Sequence, residues 1–226
     1  MNDPSTKPDT TPGGYRPDPA AETAMTIGAF FDALVAALPD EDDLADRLSR
    51  RHQQLLADQE HRVIDEPSRH NLSLTLAVLA AYHELATRPD ADQLIPLLTR
   101  AFIEPMEPFV RAATRAALDA ATDPFATMTG ISKDRERDAF GAGFDFSHPD
   151  DDHDRYTAEV THCYYHDTLA ANGAGQLTPI FCAFDANWIN AIDPDRDGFT
   201  FERPTTIGTG GTTCPFRFRR TNRPRT

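Results

Sequence analysis

Leu72-Ser73-Leu74-Thr75-Leu76-Ala77-Val78-Leu79-Ala80-Ala81-Tyr82-His83-Glu84-Leu85 is the stretch that decides the fold. Leu72, Leu74, Leu76, Val78, Leu79, Tyr82 and Leu85 point in several directions around a helix, with alanines between them. A surface helix carries one apolar stripe and one polar face. A helix that is apolar on most sides must be surrounded, so the pattern predicts a central helix from Arg69 to Thr87 with other elements packed around it. Just upstream, Asp65-Glu66-Pro67-Ser68 stops one segment and starts the next, with Ser68 the expected N-cap.

Further toward the N-terminus, Ile27, Phe30, Phe31, Leu34, Val35 and Leu38 follow helical spacing until Pro39 breaks it. A second helix runs to about Val63 on a stripe of Leu44, Leu48, Leu55 and Leu56, with Arg50, Arg51 and Gln53 on its polar side. Residues 1–24, rich in Pro, Gly, Asp and Thr, hold too few apolar residues to offset ordering entropy and read as a flexible leader. On the other side of the central helix, a helical stretch begins at Asp90, is interrupted by Pro96, Pro105 and Pro108, and resumes from Phe109 to Ala121. Residues 25–135 are therefore expected to be mainly helical.

Near Gly141 the period changes. Phe144-Asp145-Phe146, Tyr156 to Val160, Phe199-Thr200-Phe201-Glu202 and Phe216-Arg217-Phe218 alternate with the period of two that marks half-buried strands. Two longer apolar segments, Tyr164 to Ala171 and Leu177 to Ile192, read as helices closed by Asn172-Gly173 and Asp193-Pro194. The fold class is α+β. A helical N-terminal half packs against a small antiparallel sheet with helical insertions (residues 140–226), and the whole of 25–226 forms one domain after the leader.

Composition narrows the function. A formal charge of −14 and a sequence pI near 4.8 repel phosphates, which argues against nucleic acid and anionic membranes as partners and for a small-molecule substrate. The basic run Arg217, Arg219, Arg220, Arg223, Arg225 is the exception, and its alternation with Phe216 and Phe218 reads as a strand. No stretch approaches the roughly 20 apolar residues of a span, and the N-terminus lacks signal-peptide order. An odd number of cysteines without regular spacing fits free thiols in a reducing compartment, so a cytoplasmic location is expected. Nothing in the sequence specifies an oligomeric state.

All three cysteines lie in the last third, in His162-Cys163-Tyr164-Tyr165-His166, Phe181-Cys182-Ala183-Phe184-Asp185 and Gly210-Gly211-Thr212-Thr213-Cys214-Pro215-Phe216-Arg217-Phe218. These phrases, with Asp65 to Leu85, resemble the L-2-amino-thiazoline-4-carboxylic acid hydrolase family over most of the chain. In that family a Cys precedes an aromatic and a short helix, a second Cys has Asp three residues on, and a Gly-rich turn enters Cys-x-Phe-x-Phe. One departure is Tyr164 where the first cysteine is often followed by Pro. The resemblance implies a hydrolase that opens a cyclic isothiourea to a carbamoyl-cysteine, and it leaves the substrate open because relatives of one fold act on different molecules.

Hydrolysis at an amidine-like carbon needs a nucleophile, a proton donor and groups that stabilise the tetrahedral intermediate. A thiolate from Cys182 or Cys214 can attack, and Asp185 lies on the face of Cys182 if that segment is helical, where it can meet amidine nitrogens. Cys163 and His166 share the three-residue offset, so the imidazole is expected near that sulfur, lowering its pKa. The first pair is preferred, the second is a reserve, and Cys214 reads as a wall of the pocket. The substrate-binding candidates are Arg69 and Asn71, reaching across from the central helix, Tyr164, and Thr206 in the turn containing Gly208, Gly210 and Gly211, whose N–H groups can cradle an anion or simply close a hairpin. Each candidate has a plainer alternative as a packing, capping or solvated residue.

No cofactor or metal is assigned. The cysteines lack Cys-x-x-Cys spacing, Asp193 to Gly198 matches only the first half of an EF-hand loop, and His148, His153 and Asp150 to Asp152 read as a solvated loop. Nucleotide and serine-hydrolase motifs are absent. The rival functions are a small-molecule-binding module and an enzyme of specialised metabolism acting on a different substrate.

Overall fold

The computed structural model describes residues 18–88 and 91–221, so most of the expected leader and Arg223 and Arg225 lie outside the described residues. The expected leader reaches too far. Helix α1 starts at Pro19 and runs to Ala37, capped by Asp18, whose side chain accepts from the Ala21 N–H at 3.0 Å. Helices α2 (Leu44–Asp58), α3 (Glu66–Leu85), α4 (Leu94–Ile103), α5 (Glu107–Ala120) and α6 (Pro124–Arg135) follow.

α3 is the central helix its sequence requires. Leu72, Leu76, Val78, Leu79 and Leu85 are buried, with α1, α2 and α4 packed around it. Its cap differs from expectation. Asp65 is the N-cap, accepting from the Ser68 N–H at 2.7 Å, while Ser68 Oγ accepts from the Asp65 N–H at 2.9 Å, a reciprocal box that leaves Ser68 inside the first turn. The other carboxylate oxygen of Asp65 accepts from the Ala142 N–H at 2.6 Å. The chain can come that close because position 141 is glycine: at φ +63° an added Cβ would lie 2.4 Å from that oxygen.

One expectation about α1 needs amending. An 18-residue window of this helix has a mean hydropathy of 1.3, so by length and composition it is apolar enough to cross a membrane. Here it buries Thr26, Phe30 and Leu34 as a layer against α3 and α4.

After α6 the helix widens into a π-helical turn, Glu136–Phe140, which the sequence did not signal. Asn71 Nδ2 from α3 donates to the Ala139 and Phe140 carbonyls at 3.0 and 3.2 Å, taking up oxygens the altered ladder leaves without helical partners. Strands β1 (Asp145–Ser147), β2 (Arg155–His162), β3 (Phe199–Glu202) and β4 (Cys214–Arg220) form an antiparallel sheet in the order β1-β2-β4-β3. Tyr156 pairs with Phe218, Ala158 with Phe216 and Val160 with Cys214, so one face carries all of these side chains and the helices cover it.

Between β2 and β3 lie α7 (Tyr164–Ala171), α8 (Thr178–Phe184), α9 (Ala186–Ile189) and the single turn α10 (Pro194–Asp197). The segment expected as one helix from Leu177 to Ile192 is thus broken at Asp185. The EF-hand-like stretch is a turn leading into β3, and its Asp197 is buried and held bidentately by Arg115 at 2.9 and 2.5 Å. In the loop before β2, Asp150 accepts from Thr157, Asp151 from Lys133 and Asp152 from the Asp154 and Arg155 amides, so these acids tie the loop to β2 and α6.

Candidate active site

The sheet and two short helices bring the cysteines together. The period of β4 turns Cys214 toward the helices along with Phe216 and Phe218, and its partner Val160 lies three residues before Cys163, the N-cap of α7. Cys182 comes from α8, seated against the loop that leads into β4: a Cβ on Gly208 would lie 2.8 Å from its sulfur. All three thiols are free, Cys214 buried and the other two half-buried. Negative charge on Cys214 or Cys182 raises the Cys163 pKa, so the three share one electrostatic neighbourhood.

The residue that ties this region together is Arg203, just after β3. One of its guanidinium nitrogens pairs with Asp185, the other donates to the Cys182 carbonyl at 2.7 Å, and the group lies 5.1 Å from the Phe216 ring centre. Trp188 Nε1 donates to the second Asp185 oxygen at 3.1 Å. Asp185 closes α8, so the carboxylate and Cys182 are neighbours through the backbone and through Arg203. Arg203 was missed in the sequence because it follows a strand in a loop with no periodicity. Trp188 was missed as well, although the sequence carried a signal for it: it is the chain's single tryptophan, three residues from Asp185.

Burial sets the acid–base character. It pushes the Cys163 thiol up to about 12, with the His166 and Tyr165 amides pulling weakly the other way. Burial also raises Cys214, although the Ile207 N–H donates to its sulfur at 3.1 Å. Burial likewise lifts the Asp185 carboxyl above its usual range; the Arg203 charge, then hydrogen bonds from Trp188 and Arg203, reduce the effect without cancelling it. Asp185 still exposes 27% of its side chain.

Several candidates serve the frame instead. The His166 ring does not turn to Cys163; its Nδ1 bonds the Thr178 hydroxyl at 3.1 Å, because Cys163 has extended backbone at the cap and the helical offset does not hold. Tyr164 is buried, its hydroxyl donating to the Arg62 carbonyl at 2.9 Å. Its neighbour Tyr165 is the one beside the thiols, stacked on Phe181 with ring centres 4.7 Å apart. Asn71 is saturated: besides its two carbonyl acceptors, its Oδ1 takes the Tyr165 hydroxyl at 2.9 Å. Thr206 caps the short turn Ile207–Thr209 through reciprocal bonds with Thr209. Arg69 does not reach the sheet; it is 55% exposed, paired with Glu66, and lines a groove of about 480 Å³ with Leu56, Val63 and His70. Among the described residues no three His, Cys, Asp or Glu side chains are grouped to hold a metal ion.

The family model described as L-2-amino-thiazoline-4-carboxylic acid hydrolase matches residues 70–218, a span that contains every residue of this cluster. No curated protein and no solved structure matches the chain.

Proposed function

Because the chain belongs to the L-2-amino-thiazoline-4-carboxylic acid hydrolase family, and so to a family named for hydrolysis, we propose that it opens a small cyclic amidine or thiazoline, such as 2-amino-thiazoline-4-carboxylate, at Cys182 and Asp185. The observation that carries this reading is the Arg203 bridge, which holds the Asp185 carboxylate and the Cys182 carbonyl at once beside two further thiols.

Asp185 has its basicity raised by burial, which suits it to take the Cys182 proton as sulfur adds to the ring carbon between sulfur and nitrogen. The tetrahedral carbon then collapses. Its bond to one ring heteroatom breaks, and that atom receives the proton held by Asp185. Water, deprotonated by the same carboxylate, adds to the linked carbon; the carbon–sulfur bond to the enzyme then breaks, and Cys182 leaves with its electron pair and takes up the proton held by Asp185, which restores both groups. The product is the ring-opened carbamoyl compound. Arg203 fixes the carboxylate, and Cys163 and Cys214, kept neutral by burial, act as walls.

Turnover of 2-amino-thiazoline-4-carboxylate by variants tests this. Cys182→Ala and Asp185→Asn are each expected to lower kcat by at least about a hundredfold, the scale of losing a nucleophile or its base, with the melting transition retained. Wild-type rates in both variants would refute the assignment.

A further inference from the structure

We propose that Tyr165, fixed by Asn71, is the positioning residue of this site: it sets the rotation of α8 and with it the aim of Cys182 and Asp185. This rests on the hydrolase reading above and adds the group that keeps the nucleophile and its base in line.

Helix α8 has only seven residues, about two turns, so its orientation comes from what it packs against. Phe181 and Phe184, three residues apart on one face, rest on Phe102 of α4 with ring centres 5.2 and 5.4 Å away. Tyr165 of α7 stacks on Phe181 at 4.7 Å, with 24° between the planes. Cys182 and Asp185 each follow one of these phenylalanines, so any turn of α8 about its axis swings both together. The room for such a turn is small: the Cys182 sulfur meets Gly208, where an added Cβ would lie 2.8 Å away. The Tyr165 ring is itself held in one setting. Asn71 of α3 is buried, and its Nδ2 donates to the Ala139 and Phe140 carbonyls of the π-helical turn at 3.0 and 3.2 Å, which leaves Oδ1 as the face that accepts the Tyr165 hydroxyl at 2.9 Å. Apolar packing alone needs no hydroxyl here, since phenylalanine would present the same ring to Phe181 and to Phe144, which meets Tyr165 edge-on at 5.0 Å. The oxygen serves to orient the ring. Charge at Cys163 and at Asp185 acts on that hydroxyl, which places the tyrosine in the neighbourhood of the reacting groups.

Turnover of 2-amino-thiazoline-4-carboxylate and iodoacetamide labelling of Cys182, read side by side on the full chain, test this. Tyr165→Phe, which keeps the ring and loses only the bond to Asn71, is expected to lower kcat about tenfold with KM within about twofold, the effect of a small misalignment, and to slow Cys182 labelling by a similar factor as Asp185 loses its line to the thiol. Phe181→Leu should lower both in the same way, and the double variant should be no slower than the slower single one, because both changes act on the same helix. Asn71→Ser, which removes the acceptor and keeps the tyrosine, serves if Tyr165→Phe does not fold. Wild-type kcat and labelling in Tyr165→Phe overturn the proposal, and a lowered melting temperature beside them would mark a mere brace. Losses that multiply in the double variant overturn it too. Labelling that depends on Tyr165 in a chain that does not turn the substrate over would sink the hydrolase reading alone; turnover that depends on Cys182 but not on Tyr165 would sink the positioning role alone.

Discussion

A thiol attacks as its thiolate, and burial in apolar surroundings opposes forming one. That rule separates the three cysteines. Cys163 is pushed to about 12 from 9.0, so at pH 8 its thiolate fraction falls roughly a thousandfold below that of a free thiol. Cys214 is buried and its pKa is raised too. Iodoacetamide at pH 8, followed by peptide mass mapping, is therefore expected to label Cys182 first and leave Cys163 and Cys214 largely unmodified; rapid labelling of Cys163 would contradict the account. Residue types and offsets made the cysteine phrases and Asp185 legible in the sequence. What they did not yield was direction. Tyr164 and Tyr165 are adjacent letters, yet successive helical side chains point about 100° apart, so only one faces the thiols. Arg203 needed the tertiary fold to bring it 21 residues back to the Cys182 carbonyl.

At the scale of elements, alternation of Phe with polar residues was enough to find all four strands, because a one-faced sheet must bury every second residue. α7 likewise has its expected bounds. The break at Asp185 was not visible, since Phe184 to Asn187 contains neither proline nor glycine; in the fold Asp185 is held there by Trp188, three residues on, and by Arg203, 18 residues on. Helix α1 gives a clean test of element stability. Gly28 lies inside it, exposed, and an added Cβ would meet nothing within 4 Å. Gly28→Ala should therefore stabilise the protein by about 0.5–1 kcal/mol, the helix-propensity difference, read as a higher urea midpoint with unchanged slope. An unchanged or lower midpoint would show that α1 is not a stable helical layer.

Across the whole molecule the buried ionisable groups set a direction for acid stability. Burial holds His52 below its usual 6.5, so as pH falls under 6.5 the unfolded chain takes up a proton that the folded one resists, and stability declines. Burial does the same to His83, with Arg51 adding to the effect. Burial opposes ionisation of Asp65 and Asp197, but the Ala142 and Ser68 amides in one case and Arg115 in the other outweigh it and hold both carboxyls below 3.8. Their stabilisation is complete at neutral pH and is lost as pH falls through those lowered values. Denaturation melts from pH 8 to 3 should show loss beginning near 6.5 and steepening below 3.8; a flat profile would contradict these assignments.

The proposed reaction requires a bond between Cys182 and the substrate. Rapid acid quench of the enzyme turning over 2-amino-thiazoline-4-carboxylate, followed by peptide mass mapping, reads it directly. A substrate-derived mass is expected on the peptide carrying Cys182 and on neither of those carrying Cys163 or Cys214; full turnover with no adduct at Cys182, and with activity surviving in Cys182→Ala, would contradict covalent catalysis at Cys182.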